Sequence, residues 1–166
     1  NKSIYNKLLA LRNLGSAKKN IHSILGINSR LDTIQSVVLN TKLKSLLSLN
    51  NKRRKISNFY DIHLSRIKDI TITKTNSGSS RHLYVIRTKK RDQLIKYLAK
   101  RKIYCQMHYP YSLNKLKPFK SSLKKIKLEI SERWARECIS LPMHPNLSII
   151  DVKKVVKEVK NFFKKR

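Results

Sequence analysis

Apolar residues recur along the chain at helical spacing in some stretches and as short β-rich runs in others. Residues 4–14 set Leu8, Leu9, Leu11 and Leu14 among Lys and Arg, which predicts a helix with Gly15 as its C-terminal cap. Residues 16–27 read as a loop. Ser29, followed three residues later by Asp32, forms a capping box that opens an apolar run through Leu31, Ile34, Val38 and Leu43. A helical face of Ile56, Phe59, Tyr60 and Leu64 follows. The 31–64 stretch is too long for one average helix, so a break is expected near residues 48–51.

Beyond a polar loop at 73–80, residues 83–86 predict a strand and 91–100 a helix carrying Leu94, Ile95 and Leu98. Residues 103–107 predict a second strand, ended by Pro110. The stretch 117–127 is basic and without clear period. Residues 129–137 predict a short helix and 138–141 a third strand, stopped by Pro142. Ser148 with Asp151 is a second capping box. It opens a helix with Val152, Val155, Val156, Val159, Phe162 and Phe163 at amphipathic spacing. Its lysine face would suit an anionic membrane, but the stripe has the width of an ordinary core face, so packing on its own domain is expected. This order predicts an α/β domain of α+β character, a small sheet covered by helices.

Composition supports a folded chain. Of 166 residues, 40% are hydrophobic, too many for a disordered segment. The length suits one domain, and no apolar run approaches the ~20 residues that span a bilayer. Two cysteines, Cys105 and Cys138, do not make a disulfide framework and fall in the predicted strands as small buried groups. A cytoplasmic protein is the expectation. The first residue is Asn1, and an initiator Met is trimmed only before a small residue, so the chain is read as a piece of something longer.

Charge changes this picture only partly. Thirty-nine Lys and Arg against nine Asp and Glu give a net charge of +30, which attracts polyanions. The basic residues are spread over the chain, with short clusters at 52–55, 89–91, 100–102 and 164–166. No zinc-finger spacing or RNA-recognition motif accompanies them. A stand-alone nucleic-acid-binding protein is one reading, a generally Lys-rich background the other. His22, His63, His82, His108 and His144 show no metal-ligand spacing, and three glycines make no phosphate-cradling loop. The residues alone give a basic domain without a self-contained active site.

Four segments carry more information. They are residues 26–35 (Gly-Ile-Asn-Ser-Arg-Leu-Asp-Thr-Ile-Gln), residues 80–86 (Ser-Arg-His-Leu-Tyr-Val-Ile), His108-Tyr109-Pro110, and residues 139–148 (Ile-Ser-Leu-Pro-Met-His-Pro-Asn-Leu-Ser). In this order and spacing they resemble the C-terminal part of the DegT/DnrJ/EryC1/StrS family, pyridoxal-phosphate aminotransferases of nucleotide-linked keto sugars. The resemblance implies the C-terminal small domain of the aspartate-aminotransferase fold. Residues 1–27 would be the tail of the large cofactor domain with its connecting loop, and 28–166 the small domain. The family's Schiff-base lysine belongs to the large domain, and no lysine here matches its context, so this chain alone is expected to be inactive. Amino transfer from glutamate to a keto sugar, for surface polysaccharide synthesis, and a homodimer with shared sites are further implications. A split-gene product without activity is a further alternative.

The resemblance carries roles to four residues. Asn28 matches an asparagine whose amide reaches the cofactor phosphate of the partner subunit; the other reading is a residue that shapes the turn. Arg30 matches an arginine that would face the anionic sugar nucleotide, or would pair with Asp32 or another carboxylate. His108 and Tyr109 match a turn at the substrate mouth, where they bind the sugar or its phosphates or merely complete the turn. The family continues that turn with Pro, Leu and a second His, where this chain has Ser112, Leu113 and Asn114. His82 and the 141–147 segment resemble scaffold.

Overall fold

Tyr84–Arg87 and Cys138–Leu141 are short, mostly apolar runs, and they pair as an antiparallel ladder. The computed structural model describes residues 1–73, 75–76, 78–119 and 126–164. It divides into two compact units, residues 1–46 and 47–166.

In the first unit, helix α1 (Lys2–Leu11) is capped by the Asn1 side chain, which accepts from the Ser3 backbone N–H at 3.0 Å. The helix ends three residues earlier than its apolar spacing suggests, with Arg12 as C-cap. Gly15 lies beyond the cap rather than at it, at φ +78°, and its N–H donates to the Ala10 carbonyl at 2.8 Å. The 16–27 stretch, expected as a loop, holds a two-stranded antiparallel hairpin of β1 (Ser16–Lys18) and β2 (Ile21–His22). Asn20 takes φ +63° at its turn, a conformation asparagine tolerates. Strands this short carry no readable alternation, which is why the sequence pattern missed them.

Helix α2 (Thr33–Leu43) starts one box later than expected. The capping pair is Asp32 with Gln35, whose Oε1 accepts the Asp32 N–H at 3.4 Å, and not Ser29 with Asp32. The break before α3 (Leu46–Leu64) lies at residues 44–45, earlier than the expected 48–51.

The second unit is built on a three-stranded antiparallel sheet in the order β3-β4-β5, with β3 at Thr71–Ile72, β4 at Tyr84–Arg87 and β5 at Cys138–Leu141. The register pairs Tyr84 with Leu141 and Ile86 with Ile139. Strand β3 was not foreseen. The expected strand at 103–107 is not one: only Gln106 makes an isolated bridge, to Ser140. Lys102, at φ +60°, and the Ile103 N–H donating to the Leu98 carbonyl turn the chain tightly out of the preceding helix, which leaves little length to pair. Cys105 therefore sits half-buried in a loop, its thiol pushed up to about 12 by burial, while Cys138 is buried in β5 as expected.

Helices α4 (Arg91–Ala99), α5 (Glu129–Glu137) and α6 (Ile149–Lys164) complete the unit. The apolar stripe of α6 is buried in one core with Tyr60 and Leu64 of α3, Leu94 and Leu98 of α4, and Ile86 and Ile139 of the sheet. The α6 stripe thus packs on its own domain. At its start the Ser148 Oγ accepts the Asp151 N–H at 3.1 Å and donates to the Asp151 carboxylate. Much of the 117–127 stretch lies outside the described residues; within it, 117–119 form a 3-10 turn. The Tyr60 and Tyr84 rings meet tilted at 41°, with centroids 4.7 Å apart, and their hydroxyls bond to the Pro142 carbonyl (2.9 Å) and the Asp61 carboxylate (2.7 Å). Burial, and for Tyr84 also the Asp61 bond, raises both phenols above their ordinary range.

Candidate functional site

In the first unit, the segment that carries Asn28 returns along the end of α1. Ile27 N–H donates to Leu11 O at 2.8 Å, Leu14 N–H to Ile27 O at 3.1 Å, and Ser29 N–H to Arg12 O at 2.9 Å. Asn28 pairs with Asn13 in an isolated bridge. The approach is so close that a Cβ on Gly26 would lie 2.2 Å from the Gly15 nitrogen, and one on Gly15 1.6 Å from the Ile24 carbonyl oxygen. Both glycines are therefore required for the chain to return here.

The backbone on both sides of Asn28 is thus tied down. Its side chain is exposed, and its carboxamide has no hydrogen-bond partner among the described residues. Such an amide fits one oxygen of a phosphate, as a neutral donor on a fixed backbone. Arg30 is also exposed and has no ion pair among the described residues, so the expected alternative of a bond to Asp32 is not formed.

In the second unit, β5 is the template for the His-Tyr-Pro turn. Gln106 exchanges both backbone hydrogen bonds with Ser140, at 3.2 and 2.7 Å. His108 Nδ1 lies 2.8 Å from the Ser140 Oγ, and Ser140 is buried. Cys138 Sγ donates to the Tyr109 carbonyl at 3.6 Å. His108 is half-buried, whereas Tyr109 is exposed and its hydroxyl has no hydrogen-bond partner among the described residues. With Nδ1 held on Ser140, Nε2 is the ring atom left for another group.

These residues border a groove of about 680 Å3 lined by Tyr111, Leu113, Leu116, Ile130 and Trp134 besides His108 and Tyr109. Leu113 and Ile130 are exposed apolar residues in its wall. The volume is that of an ordinary ligand site.

Asn114, where the family resemblance leads one to expect a histidine, is buried. Its Nδ2 donates to Glu132 Oε1 at 2.8 Å, and its Oδ1 accepts from Ser112 Oγ at 2.6 Å. Lys115 Nζ lies 3.3 Å from the same Glu132 oxygen. The Asn114 bond, ahead of Lys115, holds the Glu132 carboxyl below the usual carboxylate range. Sequence reasoning found the departure at Asn114 but not this network, which joins residues 18 positions apart. Asn28 and Arg30 fall in one unit and His108 and Tyr109 in the other. No cluster of three or more His, Cys, Asp or Glu suited to a metal occurs among the described residues. None of their helices is long and apolar enough to cross a membrane.

A family model, that of the DegT/DnrJ/EryC1/StrS aminotransferases, matches residues 1–160. The chain belongs to this family. A curated relative, the dTDP-3-amino-3,6-dideoxy-alpha-D-galactopyranose transaminase of Aneurinibacillus thermoaerophilus, is 36% identical over 160 residues, covering 94% of this chain and 43% of the relative. Among solved structures, S. venezuelae DesV in complex with a ketimine intermediate matches all of this chain and 46% of its own, at TM-score 0.94 and 30% identity. Helicobacter pylori PseC, an aminotransferase involved in the biosynthesis of pseudoaminic acid, matches all of this chain and 47% of its own, at TM-score 0.87 and 25% identity. The chain thus spans less than half the length of the relatives it matches. The family match covers the small α/β domain with its helix-covered sheet, as the four motifs implied.

Proposed function

We propose that this chain is the C-terminal part of a pyridoxal-phosphate-dependent aminotransferase that aminates a keto sugar on a nucleotide carrier. The observation that carries this reading is the family match over residues 1–160, with a curated transaminase of a nucleotide-linked amino sugar 36% identical over nearly the whole chain. The open apolar surface of residues 1–46 supports it, because helices α1 and α2 expose Ile4, Tyr5, Leu8, Ile34 and Val37 as surfaces that another domain would cover. By this reading, residues 1–27 end the large cofactor domain and 28–166 form the small domain. The nucleic-acid-binding reading is set aside, since the family accounts for nearly the whole chain.

The cofactor, when bound, supplies the electron sink for amino transfer. This chain's residues bind and orient. Asn28 donates its free amide N–H to the cofactor phosphate of a partner subunit, which makes a homodimer part of the proposal. Arg30 offers a planar fork to a phosphate of the nucleotide. His108, fixed through Nδ1 by Ser140, presents Nε2 to the sugar, and the Tyr109 hydroxyl donates beside it. The lysine that holds the cofactor, and the site for the amino donor (glutamate in this reading), lie outside this chain. A cytoplasmic setting, where nucleotide sugars and glutamate are both available, and a role in surface polysaccharide synthesis belong to the same reading.

The test is to read the frame upstream of the Asn1 codon and express the joined protein. An upstream cofactor domain with its lysine, visible absorbance of bound cofactor, and glutamate-dependent amination of a keto sugar nucleotide are expected. A stop codon or unrelated sequence there would leave a split-gene product without activity and overturn the reading.

A further inference from the structure

Helices α3 and α6 run beside two adjoining cavities of about 610 and 420 Å3. Arg66, Lys68, Lys160 and Lys164 line the first, and Lys153, Lys157, Lys160 and Lys164 the second. The four α6 lysines stand at helical spacing on one face, next to the buried valine stripe. No carboxylate lines either cavity. None of these six cations has an ion pair among the described residues.

The neighbouring basic cavity around Arg87 and Lys90 is different. There Glu137 pairs with Arg87 and Asp69 with Lys90, so two of its four cations already have carboxylate partners. A solvated lysine surface explains unpaired charge, but it does not gather six cations around a concavity. Nor does it explain His63, which lines both cavities. This ring is half-buried and stacks edge-on against Phe59 at 4.2 Å, yet neither nitrogen has a hydrogen-bond partner among the described residues. A half-buried polar ring without a partner, set among uncompensated cations, is an arrangement an anion would complete.

We propose that the α3–α6 cavity pair is a binding site for a diphosphate group. One phosphate would leave most of the six cations unmatched, whereas two linked phosphates spread several negative charges along the α6 stripe. The cavities share no lining residue with the His108 groove, so the proposal does not rest on the aminotransferase reading.

The experiment is calorimetric titration of the chain with pyrophosphate, with ADP, and with phosphatidylglycerol vesicles. Three variants are compared: Lys160→Gln with Lys164→Gln, His63→Ala, and a charge-matched control, Lys100→Gln with Lys102→Gln. The control lysines are exposed and line neither cavity. One saturable site per chain is expected for pyrophosphate, weakened about tenfold in the α6 pair and several-fold in His63→Ala, but less than about twofold in the control, since two charge-assisted contacts are lost only in the first. Binding of pyrophosphate alone assigns an inorganic diphosphate; binding of ADP as well assigns the group whatever carries it. Equal losses in both lysine pairs, non-saturating binding, or binding to vesicles alone would overturn the proposal.

Discussion

The two units of this chain differ in how they treat their apolar residues. Residues 47–166 close a core around Tyr60, Leu64, Ile86, Leu98, Ile139 and Val159, each fully buried. Of the buried apolar residues, only Ala10 belongs to residues 1–46. There, Leu8, Ile27, Ile34, Val37, Leu39 and Leu43 are exposed. Backbone bonds and two close-packed glycines hold the first unit, whereas side-chain packing holds the second. A surface this apolar is characteristic of an interface, and its exposure fits a chain that spans less than half of its relatives.

The largest expected effect comes from the closed core. Leu98→Ala should lower unfolding stability by about 3 kcal/mol, with a cooperative transition retained, because the cavity lies among buried neighbours from α6 and the sheet. Denaturant unfolding followed by circular dichroism measures it. Gly26→Ala tests the other unit. Its Cβ would meet the Gly15 nitrogen at 2.2 Å and the Leu11 carbonyl oxygen at 2.6 Å, so the 26–29 return must detach. Amide exchange at Ile27 and Ser29 should lose protection while the second unit unfolds within about 0.5 kcal/mol of the parent. Loss of protection throughout the chain would mean that the two units do not behave separately.

What the sequence made legible follows the same division. The helices of the second unit and strands β4 and β5 could be read because their apolar periods answer to one core. The errors fall where backbone bonding decides instead. The β1–β2 hairpin has strands of three and two residues, too short for any period. The 103–107 stretch is β-rich in composition yet pairs only at Gln106. The first capping box was displaced because both Ser29 and Asp32 are capable caps, and only the Ser29 N–H bond to Arg12 removes the former from the helix. For the candidate site, the motifs located Asn28, Arg30, His108 and Tyr109. These nominations remain a proposal, and the motifs gave no hint of Ser140 beneath His108, a contact between residues 32 positions apart.

A smaller effect sharpens the view of the second unit's rim. Asn114→Ala removes the bonds to Glu132 and Ser112 and leaves Ser112 buried without that partner, which should cost about 1–2 kcal/mol near neutral pH. Glu132 is held below its ordinary range in the folded chain, so its contribution is present above the unfolded glutamate pKa and fades as pH falls through the folded value. The gap between parent and variant should therefore narrow on acidification, as unfolding curves across pH would record. A gap constant with pH would assign the loss to Ser112 alone. Tyr60→Phe, which removes the bond to the Pro142 carbonyl while keeping the ring against Tyr84, should cost about 1 kcal/mol in the same assay.

The smallest expected change in folding stability is the most telling for the comparison. Ile34 and Val37 are 80% and 59% exposed on α2. Replacing both with Ser removes little buried area, so unfolding of the isolated chain should shift by less than about 0.5 kcal/mol apart from a small helix-propensity loss. The same substitutions should reduce self-association of the chain, measured by sedimentation, because they take apolar surface from an uncovered face. In a joined full-length protein the double substitution should instead become destabilising, since by the proposed reading that face is covered there. An equal and negligible effect in both settings would mean that α2 faces water in the joined protein, and would leave the exposed apolar residues of the first unit without an interface to explain them.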